Sequence, residues 1–214
     1  MKLKVAYRTL AAIAGWGALV LQLYLLINLA VAKGESPFTG IAKFFDYFTI
    51  LSNLLVAIAF TRLSQRSDNA PGAFFTHPQV KTGITLYILI TGLVYFFLLR
   101  NLWSPVGLQW LADVLLHYVM PIAFVVDWLL FTPRGWLQRE DVIRWLIFPV
   151  GFGLWALFWG AIFGFYPYPF IDVTTLGYPQ VFLNILLMLA GFFVLGLGLV
   201  AVDRWLQKGL GPEW

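Results

Sequence analysis

The sequence predicts an all-α polytopic membrane protein. We expect a single domain over residues 1–214, built as a six-transmembrane-helix bundle with both termini in the cytoplasm. Three observations predict it. Hydrophobic residues make up 61% of the chain and charged residues 11%, against roughly 25% charged in a soluble domain. Mean hydropathy is +0.83. The apolar residues run in stretches long enough for bilayer-spanning helices, about 20 residues each, and lack the alternation of barrel strands.

The first span, Leu10–Val31, follows a basic start at Lys2 and Lys4. Ala30-Val31-Ala32 resembles a cleavage site, but the apolar core exceeds the roughly 7–15 residues of a signal-peptide core, so it reads as a helix. The others are Ala42–Arg62, Gly83–Leu99, Leu108–Phe131, Arg144–Phe163 and Val181–Trp205. No internal repeat is visible, which weakens an inverted-repeat transporter reading. Pro121 and Pro149 lie in or near spans and remove backbone donors there. Ala11-Ala12-Ile13-Ala14-Gly15 and Gly160-Ala161-Ile162-Phe163-Gly164 have the small-residue spacing of close helix contacts.

Orientation follows from the cations. One side carries Lys2, Lys4, Arg8, Arg62, Arg66, Lys81, Arg134, Arg139, Arg144, Arg204 and Lys208; the other carries Lys33, Lys43 and Arg100. The richer side is cytoplasmic by the positive-inside rule. Trp103, Trp110, Trp128, Trp136, Trp145 and Trp205 near span ends read as an interfacial belt. The cations form no continuous stripe, so membrane lipids are the expected partners and nucleic acid is not. The absence of Cys excludes disulfides, thiolate catalysis and Cys-ligated metals. No cofactor is implied, one intramembrane His without a ligand motif argues against a metal site, and oligomeric state is left open.

Chemistry is concentrated in two spans. Asp46, Thr49 and Asn53 are spaced i, i+3, i+7 and share one helical face; Asp113 and His117 are spaced i, i+4 on another. With the N-terminus inside, both spans run inward from the outer face, which puts Thr49 ~10 Å and His117 ~13 Å below it. Residues at shared depth can meet. An intramembrane ionisable residue is a functional-site candidate by default, and a hydroxyl and an imidazole at one level could be a nucleophile and its base, against a structural reading in which the Thr hydroxyl bonds its own backbone. Asp113 or Asp46 would orient the imidazole, and Asn53 would donate to an oxyanion. Asn184 and Arg100 would lie near the mouth. Tyr166, Tyr168 and Phe170, in a Pro-rich loop after span five, read as a lid or as an ordinary interfacial loop. Asp127 is expected to pair with an Arg, and His77 to sit in a solvated loop.

Tyr47-Phe48-Thr49-Ile50, His117 followed by Pro121, and Tyr168-Pro169-Phe170 resemble, in matching order, motifs of the androgen-induced and androgen-dependent TFPI-regulating membrane proteins. The likeness extends to length and the six-span plan. It implies a threonine hydrolase of fatty acid esters of hydroxy fatty acids or similar acyl esters, with Thr49 as nucleophile and His117 as its partner. The Pro four residues after His117, Ser52-Asn53 and Asp127-Trp128 depart from the family pattern and point to a bacterial-type branch, in a cell inner or plasma membrane. Two other readings stand beside it: a proton or solute carrier using Asp46, Asp113, His117 and Asp127, and a non-catalytic lipid-binding protein.

Overall fold

The computed structural model describes residues 2–65 and 73–209; Arg66, counted above among the cytoplasmic cations, lies outside them. The fold is all-α, with no strand among the described residues. Five helical segments are long and apolar enough to cross a membrane, and a bent pair makes a sixth. By packing, the chain divides into two compact units, Met1–Pro133 and Arg134–Trp214.

In the first unit, α1 (Lys2–Ala32) buries Ala11, Ala12, Gly15, Ala18 and Leu19. Its large apolar residues Leu10, Ile13, Trp16, Val20 and Tyr24 stay exposed. Small residues inward and large ones outward suit a helix that packs closely on its neighbours and meets lipid elsewhere. A Cβ on Gly15 would lie 2.8 Å from Met120 Cε, so the end of that flexible side chain would have to shift.

Helix α2 (Pro37–Phe45) starts at Ser36, whose Oγ accepts from the Phe38 N–H, with Pro37 in the first turn. Gly40 lies so close to α1 that a Cβ there would be 2.7 Å from Ile27 Cα and Leu26 O. The helix ends at Asp46. Tyr47 is extended, with φ −93° and ψ 126°, and α3 (Phe48–Ser64) restarts after it. The two axes differ by 75°. The continuous span expected over Ala42–Arg62 is therefore broken just before Thr49.

A short helix α4 (Ala73–Thr76) leads to α5 (Pro78–Val94), which continues into a π-helical turn, Tyr95–Leu99. Consecutive residues Lys81–Ile88 of α5 are all buried, so this helix is enclosed on every side. Helix α6 (Leu108–Val114) passes through a second π turn, Leu115–Val119, into α7 (Met120–Phe131). Gly92 sits where α5 meets this helix: a Cβ would lie 3.2 Å from Pro121 Cβ and 3.3 Å from His117 O. Val56, Ala59, Phe60, Ile88, Met120 and Phe124 form the apolar core between α3, α5 and α7.

Below that core is a buried charge cluster. Arg8 Nε donates to Asp127 Oδ1 at 2.7 Å and its NH2 to Oδ2 at 3.1 Å. Lys81 Nζ lies 2.5 Å from the same Oδ2. The expected Arg partner of Asp127 is thus found, but Arg8 and Lys81 are internal rather than loop charges. Trp128 is also buried and donates its indole N–H to Thr82 Oγ1 at 2.8 Å, so it leaves the expected interfacial belt. His77 is exposed, at the start of α5.

The second unit contains α8 (Arg139–Trp145), α9 (Ile147–Phe163), a 3-10 turn (Pro169–Ile171) and α10 (Val173–Gly209). A reciprocal Gln138–Asp141 cap starts α8. Helix α9 ends at Gly164, whose φ of 68° is left-handed. Helix α10 is kinked at Gly177, φ 73°, just before Pro179. It buries Phe192, Gly196, Leu199, Val200 and Asp203 along one face.

Candidate functional site

The break before α3 positions the nucleophile candidate. Thr49 is the second residue of α3. The positive end of the helix dipole therefore lies at its hydroxyl, where a developing anion is stabilised. Across from it, the second π turn presents His117. Thr49 Oγ1 is 3.4 Å from His117 Nε2, so the pair expected from shared depth is brought together.

The other ring nitrogen settles the tautomer. His117 Nδ1 lies 3.1 Å from both the main-chain oxygen and carboxylate Oδ1 of Asp113. Both neighbours accept only, so Nδ1 carries the proton, as assigned from its partners. It donates to the main-chain oxygen, which has the better alignment, with the carboxylate at ion-pairing distance. In the neutral imidazole, Nε2 then turns its lone pair to Thr49. Both nitrogens of His117 are accounted for by Thr49 and Asp113, so Asp113 rather than Asp46 takes the orienting position. Asp46 is fully buried at the α2–α3 break.

Tyr95 completes the group. Its hydroxyl donates to Asp113 Oδ2 at 2.5 Å. Its ring stacks on the imidazole at 3.9 Å between centroids and 14° between planes. The sequence reading missed it within an aromatic run, although Thr91 and Tyr95 are spaced i, i+4 where α5 runs into its π turn. Thr91 joins the site too, through a 2.9 Å hydrogen bond between its hydroxyl and Ser52 Oγ. Both π turns of the first unit thus fall on pocket residues, in keeping with the enrichment of such turns at functional sites.

Asn53 does not fill the role expected of it. Its two amide hydrogens go to Thr49 O at 2.8 Å and Leu116 O at 3.1 Å, leaving none for an oxyanion. The reason is backbone chemistry. Met120 N–H donates five residues back to Leu115 O; in the same register the next donor would be Pro121, which has no N–H. Asn53 supplies the missing donor to Leu116 O and ties α3 to the π turn.

Thr49 is 8% exposed and the His117 side chain 14%. The reacting atoms are thus sheltered yet open at one edge. Arg100 is exposed and stacks over Phe96 at 3.9 Å. Tyr166, Tyr168 and Phe170 lie in the second unit and have packing partners there. Tyr166 packs against Gly160, where no Cβ would fit, so that small-residue motif receives a side chain of its own loop. Tyr168 stacks on Phe170 at 5.2 Å. Asn184 Nδ2 donates to Phe170 O at 2.8 Å. Among the described residues no group of three His, Asp or Glu is gathered as a metal-ligand set.

No protein-family model, curated protein or solved structure matches the chain.

Proposed function

We propose that the first unit is an intramembrane hydrolase of lipid esters, with Thr49 as nucleophile and His117 as base. The observation that carries this reading is the ordered series Thr49 Oγ1, His117 Nε2, His117 Nδ1, Asp113, held by Tyr95. Three-group series of this kind activate a hydroxyl that is otherwise a weak nucleophile.

Thr49 Oγ1 attacks the ester carbonyl carbon and its proton passes to Nε2. The carbonyl oxygen takes up negative charge at the start of α3, where the helix dipole opposes it. The intermediate collapses, the C–O bond to the alcohol breaks, and Nε2 returns the proton to the leaving oxygen. Water then attacks the acyl-Thr49 ester, giving its proton to Nε2. The second collapse releases the fatty acid and restores the Thr49 hydroxyl. Asp113 and the Tyr95 ring hold the imidazole and stabilise its cationic form. The 3.4 Å gap from Oγ1 to Nε2 is long for a hydrogen bond and closes on substrate binding, as such pairs do. The apolar lipid-facing surface of α1 and the expected membrane setting suit a fatty-acyl ester, which is also what the family resemblance implies.

The carrier reading requires a polar route from His117 to Asp127, ~15 Å apart along the helix. Met120, Phe124, Val56, Phe60 and Ile88, all fully buried, fill the core there, and Asp127 is neutralised by Arg8 and Lys81. The hydrolase reading needs no such route.

The test is reaction of purified protein with a fluorophosphonate, with the adduct mapped by mass spectrometry. An adduct on Thr49, absent in His117→Ala, is the expected result. No adduct on folded protein refutes the reading.

A further inference from the structure

The second unit holds a cleft of about 740 Å³ between α8 and α10. Its floor is apolar: Ile143, Phe193, Leu197, Val200 and Ala201. Its rim carries Arg139, Glu140 and Arg204. We propose that this cleft is a binding site for an anionic phospholipid, with the phosphate at Arg139 and Arg204 and one acyl chain along Leu197 and Phe193.

Charge and spacing carry the argument. At this end of the unit Asp141 pairs with Arg144 at 3.1 Å, and Asp203 lies 3.8 Å from Arg134 while accepting from the Gly135 N–H at 3.0 Å. Arg139 and Arg204 have no ion-pair partner among the described residues and are exposed, as is Lys208 one turn beyond. Against the two rim arginines stands one rim carboxylate, Glu140, so the cleft mouth is net positive. Arginine pairs with phosphate through two parallel hydrogen bonds, and its hydration shell is weak enough to give up. From Arg204 to Phe193 is eleven residues, about 16 Å along the helix, a run suited to an acyl chain lying on the apolar floor. Basic clefts at the cytoplasmic ends of spanning helices recognise anionic headgroups in this way. Cytoplasmic is the side that the positive-inside count assigns to Arg139 and Arg204. A soluble anion would use the rim and leave the floor empty. Phosphatidylethanolamine would match the rim but not its net charge.

The experiment is native mass spectrometry of the full chain in detergent with phosphatidylglycerol, phosphatidylethanolamine or phosphatidylcholine of identical chains, and with glycerophosphoglycerol, the headgroup alone. Phosphatidylglycerol is expected to be retained about tenfold better than the other two lipids, the scale of one charged hydrogen bond, and the headgroup not at all. Arg139→Gln with Arg204→Gln removes the preference. Ala201→Trp, which fills the floor and keeps the charges, lowers retention likewise. Glu140→Gln, which changes no apolar contact, raises it severalfold and decides the matter if the arginine variants do not fold. Equal retention of the three lipids, an unchanged preference in the double variant, no gain in Glu140→Gln, or binding of the headgroup alone as tight as the lipid would each overturn the proposal.

Discussion

Asp127→Asn is the sharpest probe of how the first unit is held together. The carboxylate is fully buried, Lys81 is 1% exposed and Arg8 6%. Two cations share it, at 2.7 and 3.1 Å from Arg8 and 2.5 Å from Lys81. Asparagine keeps the shape but removes the counter-charge that both cations share and turns an NH2 toward one of them. Removing one partner of a buried ion pair costs about 3–5 kcal/mol, because the remaining charge stays desolvated. At about 2–4 °C per kcal/mol for a chain of this size, the melting temperature should fall by roughly 6–20 °C. Tryptophan fluorescence during heating in detergent reads this directly. The triple change Arg8→Met, Lys81→Met, Asp127→Leu removes every charge and should regain most of the loss. Salt screens buried pairs weakly, so the drop should persist at about 0.5 M NaCl. An Asp127→Asn protein that melts with the parent, or whose loss disappears in salt, would refute the reasoning, since the cluster would then be in contact with water.

Asp113→Asn should lower ester turnover by about a hundredfold, less than the roughly 10⁴-fold seen when a triad carboxylate alone sets the tautomer; here the main-chain oxygen of Asp113 still holds the Nδ1 proton, and steady-state kcat is the measurement. Gly92→Ala drives a methyl against Pro121 and His117 O, and should cost about 1–3 kcal/mol in thermal stability together with fluorophosphonate labelling of Thr49. Asn53→Ala leaves Leu116 O without its side-chain donor and should cost about 1–3 kcal/mol, read from the melting curve. In the second unit, the Thr174 hydroxyl and the backbone N–H groups of Thr174 and Thr175 hold Asp172 below the ordinary carboxylate range. Its contribution to the start of α10 is therefore present at neutral pH and lost as pH falls below about 4. Hydrogen exchange at Thr174, corrected for intrinsic rate, should show protection dropping across that range in the parent and no such step in Asp172→Ala.

The spans were legible because hydropathy is a sum over many residues, and five continuous segments bear it out. The 75° break was not legible for the same reason: Asp46 and Tyr47 are two residues inside an apolar window. Helical rise and span direction placed Thr49 and His117 at a shared depth, which made contact possible; that their helices touch is a tertiary fact the sequence does not carry. Tyr95, Ser52 and Thr91 are tertiary neighbours with weaker signals. Arg8 and Lys81 were misread because a cation at the end of an apolar segment looks the same whether it meets water or a buried carboxylate. Asn53 was misread because its partners are main-chain oxygens, and those are anonymous in sequence.

The π turn at Leu115–Val119 gives the helix that carries His117 a place where its length can change. Such a turn holds one residue more than an α-helical turn would. Deleting a single residue there can close it to an α turn, so Pro121, Phe124 and Asp127 keep their places while His117 loses the widened turn that presents it to Thr49. The same deletion in the regular part of α7 rotates everything beyond it by about 100°. A scan of one-residue deletions along this helix should therefore find the turn tolerant for stability and intolerant for the Thr49–His117 approach, a contrast that substitutions leave silent.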